Sequence, residues 1–384
     1  MKMKENIEDI IIVGGGPAGA YLGYLLAKNN IRSIIFDHSH PREKPCGGGI
    51  SAFALDKFSV LHEISKVFTP KNEYEGELIS PKGISVILKG KEPSWTISRK
   101  IFDNFLINKA IDRGVKLIKE KVIDVKQIDN LWEIKTKKGI YNAKILIGAD
   151  GVNSIVRKKI LGPIPKSDIG ICYGCFAMSK KQQIPRVKYL SDGEGYFWCF
   201  PRNDHLSIGI GMPSYKKRDI KELLNKFITT YYPDIKIQSK WGATVPYIND
   251  KNFYESPCAG DNWILIGDAA GHVDPITAEG ITYALWSAEL ASNAIINKDI
   301  KSFDRLWKEE YGEKLLTGCK MRHMFYNPGF LEHSMKIASK SKTFSSLLYD
   351  IMQGKQKYQS LMKRMIIDSP KILKEYFIKS IRDI

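Results

Sequence analysis

One stretch near the start narrows the possible folds more than any other: the apolar run Asp9-Ile-Ile-Ile-Val13 leads straight into Gly14-Gly-Gly-Pro-Ala-Gly19. The run reads as a buried parallel strand. The spacing of Leu22, Leu25 and Leu26 predicts a helix over 20–30, and Ser33-Ile-Ile-Phe36 predicts a second strand that ends at Asp37. Gly14, Gly16 and Gly19 therefore form GxGxxG in the strand–turn–helix setting the motif needs, with an acid about 20 residues on. Gly14 allows the tight turn, Gly16 lets backbone approach a pyrophosphate, and Gly19 lets the helix pack close on the strand. The helix N-terminus then offers unpaired N–H groups to an anion, and Asp37 accepts hydrogen bonds from a ribose. Gly14, Gly16, Ala18, Gly19 and Asp37 are candidate contacts for a dinucleotide.

Two later segments select FAD over NAD. One is the strand Ala143-Lys-Ile-Leu-Ile-Gly-Ala-Asp-Gly, which carries Asp150 and runs on to Arg157. The other is Trp263-Ile-Leu-Ile-Gly-Asp-Ala-Ala-Gly271, followed by a long helix to about Ile296. A nicotinamide domain needs neither. With GxGxxG, DG and GD motifs in that order, the chain resembles the flavoprotein hydroxylase superfamily over most of its length. The resemblance implies an α/β fold: a Rossmann-like FAD-binding domain of the p-hydroxybenzoate hydroxylase type, an inserted mixed β-sheet substrate domain and a helical C-terminal region. It implies that Asp268 holds the ribityl chain and that the Gly280-Ile281 turn aims a helix N-terminus at the flavin, where the reduced ring is anionic. It also implies that Arg99 lies near the FAD phosphates, against the plainer reading of a surface arginine opening a helix. Val122, on the strand after that helix, is expected to meet the adenine through its backbone.

Such a fold hosts several reactions. Lys44-Pro-Cys-Gly-Gly-Gly-Ile50 and Gly195-Tyr-Phe-Trp-Cys-Phe-Pro201 resemble the PCGG loop and the YxWxFP strand of geranylgeranyl reductases. The resemblance implies hydride transfer from reduced flavin plus a proton to the C=C bonds of a geranylgeranyl chain, with archaeal membrane lipid as the favoured substrate. Alternatives are geranylgeranyl diphosphate or another isoprenoid as substrate, and a monooxygenase or halogenase reaction. Cys46, Gly47 and Gly49 are implied flavin contacts. Cys46 is either the proton donor or an inert packing residue. Strand alternation puts Tyr196, Trp198 and Phe200 on one face, where, with Pro201, they line a prenyl channel or simply pack the sheet.

Composition adds less. Lys and Arg number 59 against 42 Asp and Glu, a formal net charge of +17. That excess favours nucleic acid, an anionic membrane surface or a phosphorylated substrate, but it comes with no nucleic-acid-binding signature. The six cysteines are scattered, which is no disulfide framework. Cys172 and Cys175 form one CxxC, short of the roughly four ligands a structural metal takes, and read as small side chains on a strand, so no metal is expected. No apolar run approaches the roughly 20 residues of a membrane span, and a cytoplasmic protein, peripheral to a membrane at most, is expected. The expected pieces are an FAD-binding domain over 1–70, 93–165 and 255–300, a hairpin over 71–92 joining a β-rich substrate domain over 166–254, and a helical region over 301–384. In the last of these, Leu361, Met365, Ile372, Phe377 and Ile381 stand among Lys363, Arg364, Lys371, Lys374 and Lys379. They form either an amphipathic surface on anionic lipid or a cap over the channel. Expected partners are a prenyl lipid or prenyl diphosphate and an external electron donor (ferredoxin, F420 or NADPH).

Overall fold

A computed structural model describes residues 7–181 and 183–382, the side chain of Arg382 excepted. The first six and last two residues of the expected terminal pieces lie outside the described residues. The chain divides into two compact units, each made of three segments. Unit 1 is Met1–Lys44, Arg99–Ile169 and Thr244–Leu316; unit 2 is Pro45–Ser98, Gly170–Ala243 and Thr317–Ile384. Residues 45–70 therefore pack with unit 2, where the sequence pattern alone had placed them with the nucleotide motifs.

Unit 1 is built on a parallel sheet. The strand Ile7–Val13 pairs in parallel with Ile34–Phe36 on one side and Ile140–Gly148 on the other. Lys116–Ile118 extends it at one edge, and Trp263–Leu265 pairs in parallel with the end of Ile140–Gly148. An antiparallel arm, Val122–Ile128 with Leu131–Thr136, completes the sheet. Ile10, Ile11, Ile12 and Val13 are all buried, as expected of a strand with helices on both faces. The helix Pro17–Lys28 packs on Arg99–Ile111 and on Ile281–Ile296. Two strands, not one, follow Arg99–Ile111, and Val122 opens the second.

Unit 2 holds an eight-stranded sheet in the order Lys236–Pro246, Ile169–Met178, Leu206–Pro213, Tyr196–Pro201, Arg186–Tyr189, Lys71–Ile79, Ser85–Thr96, Gly49–Ile50. Arg186–Tyr189 runs parallel to Lys71–Ile79, so the 71–92 hairpin is an integral part of the sheet. One face is closed by the helix Ile220–Tyr231, whose Leu224, Phe227 and Ile228 pack on Phe197, Cys199, Ile208 and Ile210. Phe197 stacks on Phe227 at 4.5 Å between ring centroids. The Asp219 carboxylate caps this helix by accepting from the N–H groups of Lys221 and Glu222, which satisfies two of the donors a helix start leaves open. The helices Pro328–Lys340, Lys342–Met352 and Leu361–Arg382 also belong to unit 2, and the first two pack on Ser85–Thr96. Among the described residues no helix is long and apolar enough to cross a membrane.

Candidate active site

The glycine turn of unit 1 is shaped by close approach. Gly14 has φ +104°, and a Cβ on Gly19 would overlap the Gly14 carbonyl oxygen. Gly16 differs, because a Cβ there would meet nothing within 4 Å. Its open side is where backbone can approach a ligand. Gly16 also starts the helix Pro17–Lys28, Pro17 supplies the first turn, and no side chain caps the start. An uncapped helix N-terminus beside an open glycine fits a diphosphate. Asp37 is buried, and its Oδ2 accepts from the Gly15 N–H at 2.8 Å while Oδ1 accepts from the Ser39 N–H and hydroxyl. Burial opposes its ionisation, but the Ser39 and Gly15 hydrogen bonds and the Arg42 charge outweigh it and lower its pKa. The acid at the second strand end is thus a clasp on the glycine loop.

Asp268 sits in the short turn Gly267–Ala270 after the strand Trp263–Leu265. Its half-exposed carboxylate has no side-chain partner among the described residues, which leaves it for a ligand. A Cβ on Gly280 would stand 3.2 Å from Asp268 Oδ1, so the start of Ile281–Ile296 lies close to that carboxylate. This helix start also lacks a side-chain cap. Ala18 is buried, and Gly267 lies close to it, with a Cβ there 3.2 Å from the Ala18 methyl. Two uncapped helix starts and one unpartnered carboxylate, all within unit 1, fit the phosphates, isoalloxazine edge and ribityl hydroxyls of FAD.

Three other expected contacts sit differently. Arg99 is buried, and its Nε and Nη2 donate to Oδ1 and Oδ2 of Asp103 at 2.7 and 2.9 Å. It is no surface arginine. Asp150 uses its carboxylate to hold its own loop, accepting from the Ser154 hydroxyl at 2.5 Å and the Ile155 N–H at 2.7 Å. Burial raises its pKa even so. Val122 is buried and paired opposite Thr136. Arg157, for which the motifs suggest no role, is buried with its guanidinium 4.6 Å from the Phe253 ring centroid, and its Nη1 donates to the Ala269 carbonyl at 3.4 Å. The DG helix is thereby tied to the GD turn.

Unit 2 carries the second set. Tyr196, Trp198 and Phe200 lie on one face of Tyr196–Pro201, and Phe197 and Cys199 point into the helix-covered core. The Trp198 indole lies over Gly209 and stacks on Trp241 at 5.9 Å, and Trp241 in turn covers Gly174. Glycines at these facing strand positions leave room for flat rings. Tyr196 packs edge-on to Trp198 at 6.1 Å. Burial first, then neighbouring Tyr326, Cys172, Tyr189 and Cys46, raises the Tyr196 phenol pKa well above its usual value. Cys172, read from the sequence as a small side chain on a strand, lies on this face, as does Trp241, which went unassigned; a lone tryptophan in a polar strand was the available signal. Cys172 and Cys175 project to opposite faces, so the two cannot chelate one metal. Burial, then Cys46, pushes the Cys172 thiol up to about 12. Among the described residues no group of three or more His, Cys, Asp or Glu could hold a metal.

The Cys46 loop is fastened to the same face. Its carbonyl accepts from Arg202 Nη2 and from the buried Ser207 hydroxyl, both at 2.8 Å. Phe200 lies against Gly47 and Gly49, where a Cβ on Gly47 would stand 2.6 Å from the ring. Pro201 is buried, and its carbonyl accepts from the Thr96 hydroxyl. Arg202, which sequence reasoning passed over, also stacks its guanidinium on Phe176 at 5.2 Å. The Cys46 loop, its bare glycines and the packed rings make a largely apolar face that also carries the Cys46 and Cys172 thiols and the Tyr196 phenol as protic groups.

Comparison with known proteins follows the same lines. The family described as "FAD binding domain" matches residues 8–292. A digeranylgeranylglycerophospholipid reductase of Methanocaldococcus jannaschii is 27% identical over 84% of this chain and 88% of its own length. A geranylgeranyl bacteriochlorophyll reductase-like protein from Thermoplasma acidophilum shares the fold, with a TM-score of 0.75 at 21% identity, covering 94% of this chain and 99% of that one. A flavin-dependent brominase superposes almost as well, with a TM-score of 0.74 at 18% identity, covering 95% and 100%. Fold likeness alone therefore does not choose the reaction.

Proposed function

This chain belongs to the FAD binding domain family, and on that premise we propose that it is an FAD-dependent oxidoreductase that saturates the C=C bonds of geranylgeranyl chains. The relative from M. jannaschii supports that reaction. The observation that carries it to this chain is the unit 2 face, where Tyr196, Trp198, Phe200 and Trp241 stand with the Cys46 loop and offer rings in place of charge. Bound FAD, once reduced, supplies the hydride. The protein's own share is to hold the alkene, exclude water and deliver a proton to the second carbon. Cys46 is the proposed donor, with Gly47 and Gly49 as the bare surface offered to the isoalloxazine. Gly14, Gly16, Ala18 and Gly19 with Asp37 and Arg99 form the proposed cradle for the diphosphate and ribose, Asp268 and the Gly280-Ile281 turn that for the ribityl chain and ring, and Val122 the adenine contact. Asp150 acts through its loop.

An archaeal membrane lipid is the preferred substrate within the proposal. Electrons come from an external donor of the ferredoxin, F420 or NADPH type, and the protein meets its substrate at a membrane surface. The test is anaerobic incubation of dithionite-reduced protein with unsaturated C20 lipids, followed by mass spectrometry. Stepwise gains of two hydrogens per alkene are expected. A flavin that stays reduced in the presence of every prenyl chain, yet consumes oxygen rapidly with an aromatic substrate, would point to the monooxygenase reaction instead.

A further inference from the structure

The last helix, Leu361–Arg382, faces the wrong way for a simple cap. Met362, Ile366, Ile367, Leu373, Phe377 and Ile381 are each at least 55% exposed. At helical spacing these positions share the arc that also carries Lys363, Lys371 and Lys374. The inward arc combines the buried Leu361 and half-buried Met365, Ile372 and Tyr376 with polar contacts. Arg364 Nη1 donates to Asp350 Oδ2 at 2.7 Å, and Glu375 accepts from the hydroxyls of Ser341 and Thr343 at 2.6 and 2.9 Å. Lys340 donates to Ser380 at 3.1 Å. Both acids of the helix, Asp368 and Glu375, are thus on the protein side, and the outward arc has none. Pro370 lies on that outer arc. The carbonyl it leaves without a helical partner, Ile366 O, accepts from the Ser369 hydroxyl at 2.8 Å, so the apolar side carries no orphaned carbonyl there.

We propose that the outward face of this helix is a docking surface for an anionic lipid bilayer. Apolar side chains interleaved with lysines, on a helix pinned to its own domain by the opposite side, are what an interfacial helix requires. Charge decides among occupants. A second copy docking face to face would set lysines against lysines with no acid to answer them, whereas an anionic headgroup layer complements every one. The surface deepens the membrane contact within the proposed function and rests on that reading for its purpose, but binding and turnover are read separately.

The experiment is co-sedimentation of the full-length flavoprotein with phosphatidylglycerol vesicles, with phosphatidylcholine vesicles as the comparison, at low and high salt. The wild type is expected to sediment with phosphatidylglycerol and to be released by salt. Ile366→Asp with Phe377→Asp, and separately Lys363→Glu with Lys374→Glu, should each weaken binding on the order of tenfold or more. Flavin content and reduction of a detergent-dispersed geranylgeranyl substrate should stay at the wild-type level. The lysine pair changes only exposed side chains and decides the matter if the aspartate pair fails to fold. Wild-type protein that ignores phosphatidylglycerol, or variants that bind it undiminished, overturn the surface. So does a wild-type dimer that these variants dissociate. Vesicle binding without reduction of any prenyl chain supports the surface and removes the functional reading; reduction in detergent without vesicle binding does the reverse.

Discussion

At Cys46 the proposed role is delivery of a proton. Its carbonyl is clamped by Arg202 and Ser207, so the loop is fixed and the thiol is the protic group it presents. Cys46→Ala should slow alkene saturation by about a hundredfold, the usual share of a positioned acid, with flavin content unchanged. Rapid-mixing oxidation of the reduced flavin by substrate reads this directly, and a near wild-type rate would make Cys46 a packing residue. The glycine turn gives a paired test. Gly19→Ala drives a methyl into the Gly14 carbonyl and should lower the melting temperature sharply. Gly16→Ala meets open space, so it should fold normally and bind flavin weakly; flavin retention on desalting separates the two. His272 supplies a pH effect. It is fully buried, its Nδ1 within 2.9 Å of the Tyr311 hydroxyl, and burial, helped by the Arg157 charge, lowers its pKa to about 3. The unfolded chain protonates near 6.5, so the stability of the neutral ring is complete above that pH. It is lost as pH falls from there towards 3, at up to about 1.4 kcal/mol per unit. His272→Gln should flatten that part of the thermal-stability profile; an unchanged slope would place the acid sensitivity elsewhere.

Among elements, the strands of the unit 2 sheet depend on residues that are small so that their neighbours can be large. Gly209 and Gly174 lie beneath Trp198 and Trp241. Gly209→Ala should lift the Trp198 indole and raise KM for a prenyl substrate several-fold, with flavin binding intact and a shift in tryptophan emission. Unchanged KM and emission would show that the indole does not contact substrate. These same elements show where the sequence was readable. The strand–turn–helix at 9–37 was legible because the motif is local and every part has one physical use. The alternation of Tyr196, Trp198 and Phe200 was legible because a strand has period two. Residues 45–70 were not, because Gly49–Ile50 is a strand only through its pairing with Ser85–Thr96, a long-range contact that leaves no local mark. The helix Ile220–Tyr231 was overlooked although Asp219 and the spacing of Leu224, Phe227, Ile228 and Tyr231 announce it; the surrounding strand pattern hid it. Trp241, the partner of Trp198, sits in a strand whose other residues are mostly polar, so the site was half written in motifs and half in pairing.

Across the whole molecule the governing number is the formal net charge of +17. Many of its ion pairs are exposed at both ends, among them Lys144–Asp9, Lys159–Asp124, Lys181–Asp234 and Lys301–Asp261. Such pairs contribute little, about 0–1 kcal/mol each, and salt screens them together with everything else outside the core. What salt chiefly removes is the repulsion among unpaired lysines, since exposed charges stop feeling each other beyond a Debye length of about 10 Å at 0.1 M. Sodium chloride should therefore raise the melting temperature, by roughly 2–4 °C for each 1 kcal/mol of repulsion relieved in a domain of about 200 residues. The rise should be larger at acid pH, where protonated carboxylates leave more positive charge uncompensated. Thermal melts across a sodium chloride series at two pH values measure it. A melting temperature that falls with salt would mean that the ion pairs outweigh the repulsion, and that the cationic excess is held in local pairs and is not free to meet an anionic surface.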